Sequence, residues 1–444
     1  MYEKIKELLD MRNFSEIRKI LAEENVVDTA LMFEELAEED FLRIFRMLPK
    51  ELASDIFSYM STEAQQSVIE AITDRELSAI IDELFLDDTV DLIEEMPASV
   101  VKRMLKNTDR EKRALINRFL QYEEDSAGSI MTIEFIDLKK EMTVQEAFSH
   151  IRKTGVDKET IYTCFVTDKN RKLEGIVTVK TLLLSAYEDI VGDIMDTNII
   201  FATTEDDKED VANKFNKYDL LSLPVVDKER RLVGIVTIDD AIDVIQEENT
   251  EDFEKMAAMT PSDEPYLKTK VFSHAKHRIL WLLILMVSAT FTGAIITRFE
   301  SAFTVVPVLV SFIPMLMDTG GNCGSQTSTL IIRGMALGDI RGRDVLKVWW
   351  KEVSVAVLVG AVLAFFNILR IYLLNGRDMF LALTVSLSLY ATIIIAQSVG
   401  CLLPIGAKKI GLDPAVAASP IITTIVDACA LTIYFTIAKT ILGF

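Results

Sequence analysis

The chain has 444 residues, half of them apolar, and a formal net charge of −21. The charge is unevenly placed: residues 1–270 carry 60 acidic and 34 basic side chains, a net of −26, and residues 271–444 carry 8 and 13, a net of +5. So acidic a field repels phosphate and excludes nucleic acid as a partner, which leaves cations; the four cysteines include no CxxC pair, so neither a zinc site nor a disulfide frame is expected.

Residues 1–124 read as an all-helical domain. Apolar residues recur every three or four positions, as in "LASDIFSYM" and "VDLIEEM". Breaks at "LPKE", "MSTEA", "ITDRE" and "MPAS" come at short intervals, several with an N-capping residue ahead of an acid. The pattern predicts a wound stack of short helices with degenerate repeats. The N-terminus, MYEKIKELLDMRN, has no apolar core of a signal peptide, so the acidic part is expected in the cytosol.

Residues 129–248 change to β-branched runs: "YTCFVTD", "LEGIVTV", "SLPVVD" and "LVGIVTI". "LEGIVTVKTLL" and "LVGIVTIDDAI" match at an offset of 59 residues, so strand–strand–helix units stand in tandem. With Ile130-Met131-Thr132 and Ile194-Met195-Asp196 opening the units, the segment resembles a pair of CBS domains, at 125–187 and 188–248. Such pairs often bind adenosine nucleotides, and the resemblance places ribose contacts on Thr237 and Asp240. In the first copy Thr181 stands at the Asp position.

A connector follows, with Glu247, Glu248, Glu251, Asp252 and Glu254 in a helical pattern around Phe253 and Met256. His274 and His277 stand beside Lys276 and Arg278, as interfacial anchors do. From residue 279 the sequence is membrane, with five spans expected at 279–297, 302–337, 350–374, 379–404 and 414–442. The basic residues at Arg341, Arg343, Lys347, Lys351, Lys408 and Lys409 fall on the side of a cytosolic N-terminus, and an odd number of spans puts the C-terminus outside.

Two places in the membrane part carry chemistry. The second span contains Asp318-Thr-Gly-Gly-Asn322-Cys-Gly-Ser-Gln326, whose polar residues read as a break lining a cavity or pore, while the glycines alone would also suit a close helix crossing. The last span contains Asp427 near its centre, where a charge costs about 2.5–3.5 kcal/mol on insertion scales. The next basic residue on that helix is Lys439, so the structural alternative is an interhelical partner such as Arg333; Thr423 and Thr424 lie one turn before the acid. An unpaired carboxylate with hydroxyls beside it suits a hard cation such as Mg²⁺, Ca²⁺ or Mn²⁺, held through its waters.

Over its whole length the chain resembles the MgtE family of Mg²⁺ channels. The resemblance rests on "YEEDSAGSIMT" (122–132), "FIPMLMDTGGNCGSQTSTLIIRGMALGDI" (312–340) and "GLDPAVAASPIITTIVDACALTIYF" (411–435). It implies a multidomain fold: an all-α N-domain, an α/β CBS pair, a connecting or plug helix at 249–278 and a five-span helical membrane domain. It implies a homodimer in the plasma membrane with the pore on its two-fold axis. Asp427 then falls on the Mg²⁺-selecting position, and Gly321, Asn322, Thr423 and Thr424 border the pore. Regulatory Mg²⁺ would be held by Asp207, Asp219, Asp240 and Asp243 of the second CBS unit and by Glu248, Glu251 and Asp252 of the plug. In the N-domain Asp87, Asp88 and Asp91 are candidates. ATP is a possible second ligand. Competing readings are a CBS-regulated pore for Mn²⁺, Co²⁺ or an anion, and a membrane sensor without transport; no Walker loop or nucleophile elbow points to an enzyme.

Overall fold

The computed structural model describes residues 2–262, 266–267, 269–300, 306–374, 378–416 and 419–443. The chain divides into two compact units, Met1–Ile245 and Gln246–Phe444.

The first unit begins with a run of short helices: α1 (Tyr2–Asp10), α2 (Phe14–Glu23), α3 (Val26–Glu35), α4 (Glu38–Phe45), α5 (Lys50–Ser58), α6 (Thr62–Ala71), α7 (Asp74–Glu83), α8 (Leu86–Glu95), α9 (Ala98–Asn107) and α10 (Arg110–Phe119). Local chemistry sets their starts. Thr73 and Glu76 close a capping box on α7, Asn25 and Asp109 cap α3 and α10, and Pro49 and Pro97 precede α5 and α9. Each helix packs on the next but one, α3 on α5, α5 on α7 and α7 on α9, so the expected stack is present.

Four basic side chains close helix ends. Arg46 donates to the Ala71 carbonyl, Arg103 to Ile69 and Ile72, Lys112 to Ile81 and Leu84, and Arg113 to Thr108. Cations there meet the unpaired carbonyls at the negative end of the helix dipole.

The CBS pair contributes β1 (Asp137–Lys139), α11 (Val144–Thr154), β2 (Thr163–Thr167), β3 (Leu173–Thr178), α12 (Val179–Leu184) and α13 (Val191–Ile194), then β4 (Ala202–Thr203), α14 (Lys208–Tyr218), β5 (Ser222–Val226), β6 (Leu232–Thr237) and α15 (Ile238–Met256). Each copy forms a three-stranded sheet, the first strand parallel to the second and the second antiparallel to the third. The short β1 and β4 carry too few residues to show a period of two in the sequence. The opening segments are exchanged between copies: Thr132 bridges to Ile235 in β6, and Asp196 bridges to Ile176 in β3. This accounts for the glycine in each Gly-Ile-Val-Thr strand. A Cβ on Gly234 would lie 2.6 Å from the Met131 sulfur, and Gly175 meets Met195 in the same way.

Helix α15 continues the last CBS helix through the first half of the connector, and turns occupy Ala257 and Ala258. Helix resumes at Val271, so residues 249–278 contain two helical segments where one connecting helix was expected.

The second unit holds α16 (Val271–Arg298), α17 (Ile313–Ala336), α18 (Val345–Leu374), α19 (Met379–Lys409) and α20 (Ser419–Leu442). Four of these, all but α17, are long and apolar enough to cross a membrane. The first residues of the expected second span, 302–305, lie outside the described residues, as do 417–418 of the fifth. The expected break at 318–326 is corrected by the structure: α17 runs through it as unbroken α-helix. Helical hydrogen bonding already satisfies the backbone, and the glycines serve packing instead. A Cβ on Gly320 would meet Thr392 and Val426, and one on Gly400 would strike the Gly324 carbonyl.

Candidate functional site

Helix α8 carries Asp87, Asp88 and Asp91, and the first turn of α15 carries Asp239 and Asp240. Both sets belong to the first unit, and they repel one another. Burial pushes the Asp88 carboxyl up to about 6, with Asp240 and Asp239 next in effect. Asp87 is raised well above the usual range by burial and then by Asp240. Asp91 stays accessible, but it opens into a recess of about 220 Å³ shared with Asp88 and Glu95, and the loss of bulk water and the charge of Asp88 push it up to about 7.

The CBS pair adds an acid that the sequence reading missed. Glu159, in the loop before β2, is pushed up to about 7 by burial and by Asp239 and Asp240. Its Oε2 is buried and has no hydrogen-bond partner among the described residues. Nothing in "DKETIY" separates such an acid from an ordinary loop residue. The nearby cation Lys112 is already engaged by the Ile81 and Leu84 carbonyls.

The remaining predicted ligands are more dispersed. Asp240 accepts hydrogen bonds from the Thr237 hydroxyl and backbone N–H, so the expected ribose pair is brought together. Asp207 caps α14 through Glu209 and Asp210, Asp219 ends that helix in a left-handed conformation, and Asp243 is exposed on α15. Among the described residues no three His, Cys, Asp or Glu side chains form a cage for a metal ion. Opposed carboxylates without a cage fit a hydrated Mg²⁺, which keeps several waters and needs one or two carboxylates.

In the second unit the end of α15 is tied down. Lys255 Nζ lies 2.6 Å from Asp413 Oδ2 and 2.6 Å from Glu251 Oε1. Met256 packs against Ile331, Ile332, Met335, Cys401 and Ile405, on α17 and α19. Asp252 is raised by burial and then by Asp413. This bond between residues 158 positions apart had no signature in the sequence.

Asp427 stands in the middle of α20, and its Oδ1 is buried with no hydrogen-bond partner among the described residues. The expected neighbours lie on two sides of it. Thr424 donates its hydroxyl to the Pro420 carbonyl, a helical back-bond. Thr423 is packed on Gly321, where a Cβ would lie 3.0 Å from the Thr423 methyl, so Gly321 lies on the seam between α17 and α20. Asn322 is exposed. It belongs to a stripe of exposed polar groups on α17: Asp318, Asn322, Gln326, Thr329 and Arg333. At about 100° per residue these fall within one sector of about 80°. A stripe like this cannot face hydrocarbon.

Comparison with known proteins gives matches along the chain. The MgtE family of divalent cation transporters matches residues 313–437, the MgtE intracellular N domain residues 24–125, and CBS domains residues 127–187 and 191–247. The chain is 34% identical to the magnesium transporter MgtE of Thermus thermophilus over 442 residues, covering 99% of this chain and 98% of that one. It is 30% identical to the magnesium transporter MgtE of Bacillus subtilis over 423 residues, covering 95% and 93%. Among solved structures, the cytosolic domain of the Mg²⁺ channel MgtE in complex with ATP aligns with a TM-score of 0.53 at 33% identity, over 55% of this chain and 100% of that one.

Proposed function

The chain belongs to the MgtE family, one of transporters and not enzymes, and on that premise we propose that it is a passive Mg²⁺ channel of the plasma membrane, closed by Mg²⁺ on its cytosolic side. The observation that carries this reading is the buried oxygen of Asp427 inside an apolar helix, without a hydrogen-bond partner among the described residues. The pore forms on the axis of a homodimer, where α17 supplies the polar stripe and spans the membrane as a fifth helix. At about 1.5 Å per residue its 24 residues reach about 36 Å, enough for a hydrocarbon core of about 30 Å. The N-terminus is cytosolic and the C-terminus outside.

Closure follows from the acids on α8, α15 and the loop of Glu159. Without divalent ions their repulsion opposes compact packing. Mg²⁺ between them binds the compact state better than the open one, and that difference in affinity moves the equilibrium. Helix α15 (Ile238–Met256), the gating or plug element in this scheme, carries Asp239 and Asp240 in its first turn and Lys255 in its last. ATP is a second ligand of the CBS pair, supported by the Thr237–Asp240 pair.

The test is Mg²⁺ flux into proteoliposomes, with Asp427→Ala and Asp427→Asn beside the unaltered chain. Both variants should lose Mg²⁺ flux while staying monodisperse, because the charge attracts the ion. Unchanged flux and selectivity in Asp427→Ala rejects the pore assignment.

A further inference from the structure

The packing of α17 on α20 contains a second carboxylate at the depth of the first. Gly320 meets Val426 and Gly324 meets Ile422, so the two helices are antiparallel, and Gly321 touches Thr423 on their seam. Asp318 lies three residues before Gly321, about 4.5 Å along α17; Asp427 lies four residues after Thr423, about 6 Å along α20. In antiparallel helices both steps run in the same direction, so the two carboxylates differ in depth by only about 1.5 Å.

Their direction also agrees. Asp318 is rotated about 60° from Gly321 around its helix and Asp427 about 40° from Thr423 around the other. For right-handed antiparallel helices these rotations carry both side chains to the same side of the seam. Asp318 is exposed and shares its face with Asn322, while the neighbouring positions Gly320 and Gly321 are buried.

The geometry points to Asp318 as a selectivity residue of the pore, acting with Asp427 on one hydrated divalent cation. This rests on the pore reading proposed above. A two-fold axis beside these helices would surround the ion with two Asp318 and two Asp427 carboxylates, each acting through the ion's waters. Charge density of this kind favours a divalent over a monovalent ion, because the attraction scales with the charge of the ion.

The experiment uses the full chain in planar bilayers, reading Na⁺ current in the absence of divalent ions and its block by added Mg²⁺. In Asp318→Asn, removing one charge per chain should raise the half-blocking Mg²⁺ concentration about tenfold. Asp318→Glu should restore it, with thermal stability unchanged. Asp318→Ser is read in the same way, in case the asparagine variant does not fold. Unaltered block in the Asn or Ser variant, with block lost in Asp427→Asn, overturns the role of Asp318 and leaves the pore in place. Unaltered block in Asp427→Asn removes the pore reading itself and this inference with it.

Discussion

Lys255 Nζ and Asp413 Oδ2 lie 2.6 Å apart, joining the last turn of α15 to the segment between α19 and α20. Lys255 also holds Glu251 on its own helix, and Met256 packs beside it on the α17–α19 side. The helix end is thus fixed by a charge pair and an apolar contact to the parts that carry the polar stripe and Asp427.

Breaking that pair should loosen closure. Lys255→Ala and Asp413→Asn should each raise channel open probability at millimolar Mg²⁺, and a Lys255→Asp, Asp413→Lys exchange should return part of the effect. A partly exposed pair of this kind contributes about 1 kcal/mol, or a fivefold change in the closed–open ratio. Single-channel recording of the two single variants and the exchange gives the coupling. Additive effects with no recovery would mean that the bridge has no part in closure.

Protons should substitute for Mg²⁺. Asp88 at about 6, and Asp91 and Glu159 at about 7, all lie above their unfolded values of about 4. A raised folded-state value means the compact state holds more protons than the open chain. Its stability therefore rises as pH falls and is lost as pH climbs through the folded values. In EDTA, limited proteolysis should find the first unit better protected at pH 5.5 than at pH 8. Added Mg²⁺ should protect strongly at pH 8 and little at pH 5.5. Protection independent of pH would show these acids to be ordinarily solvated.

Asp88→Asn separates repulsion from ion binding. Without divalent ions it should raise the melting temperature of the chain, because a buried like charge is removed. With Mg²⁺ it should show a smaller gain than the unaltered protein. The net change is about 1–2 kcal/mol in each direction, read by thermal shift with and without 10 mM Mg²⁺. A lower melting temperature in EDTA would contradict the repulsion.

Gly400→Ala tests the helix crossing. Its added methyl meets the Gly324 carbonyl, which belongs to backbone and cannot swing aside. The cost should be about 1–3 kcal/mol, seen as a lower melting temperature in detergent. Gly406→Ala, where nothing lies within 4 Å, is the matched control and should leave melting unchanged.

The sequence revealed most where chemistry is repeated or extreme. The Gly-Ile-Val-Thr strands betrayed the tandem copies because each copy needs the same glycine under the same methionine. Asp427 stood out because one charge in a long apolar run has few ordinary uses. The composition of 318–326 misled because glycine and polar residues signal a loop and a polar helix face alike; only packing shows that the glycines lie on one side and the polar groups on the other. Glu159 and the Lys255–Asp413 pair were invisible, since burial and contact over long separation leave no local pattern.

The polar stripe on α17 has a consequence for biogenesis. Such a segment partitions poorly into lipid while it stands alone, and α17 is not among the four helices of the described residues that are long and apolar enough to cross a membrane. Its buried glycines lie against α19 and α20, which are synthesised later. On the five-span reading proposed above, α17 would wait at the insertion machinery, or stay shallow, until those partners emerge. A nascent chain arrested near residue 345 should leave α17 accessible from the aqueous side, and one arrested after the last helix should not.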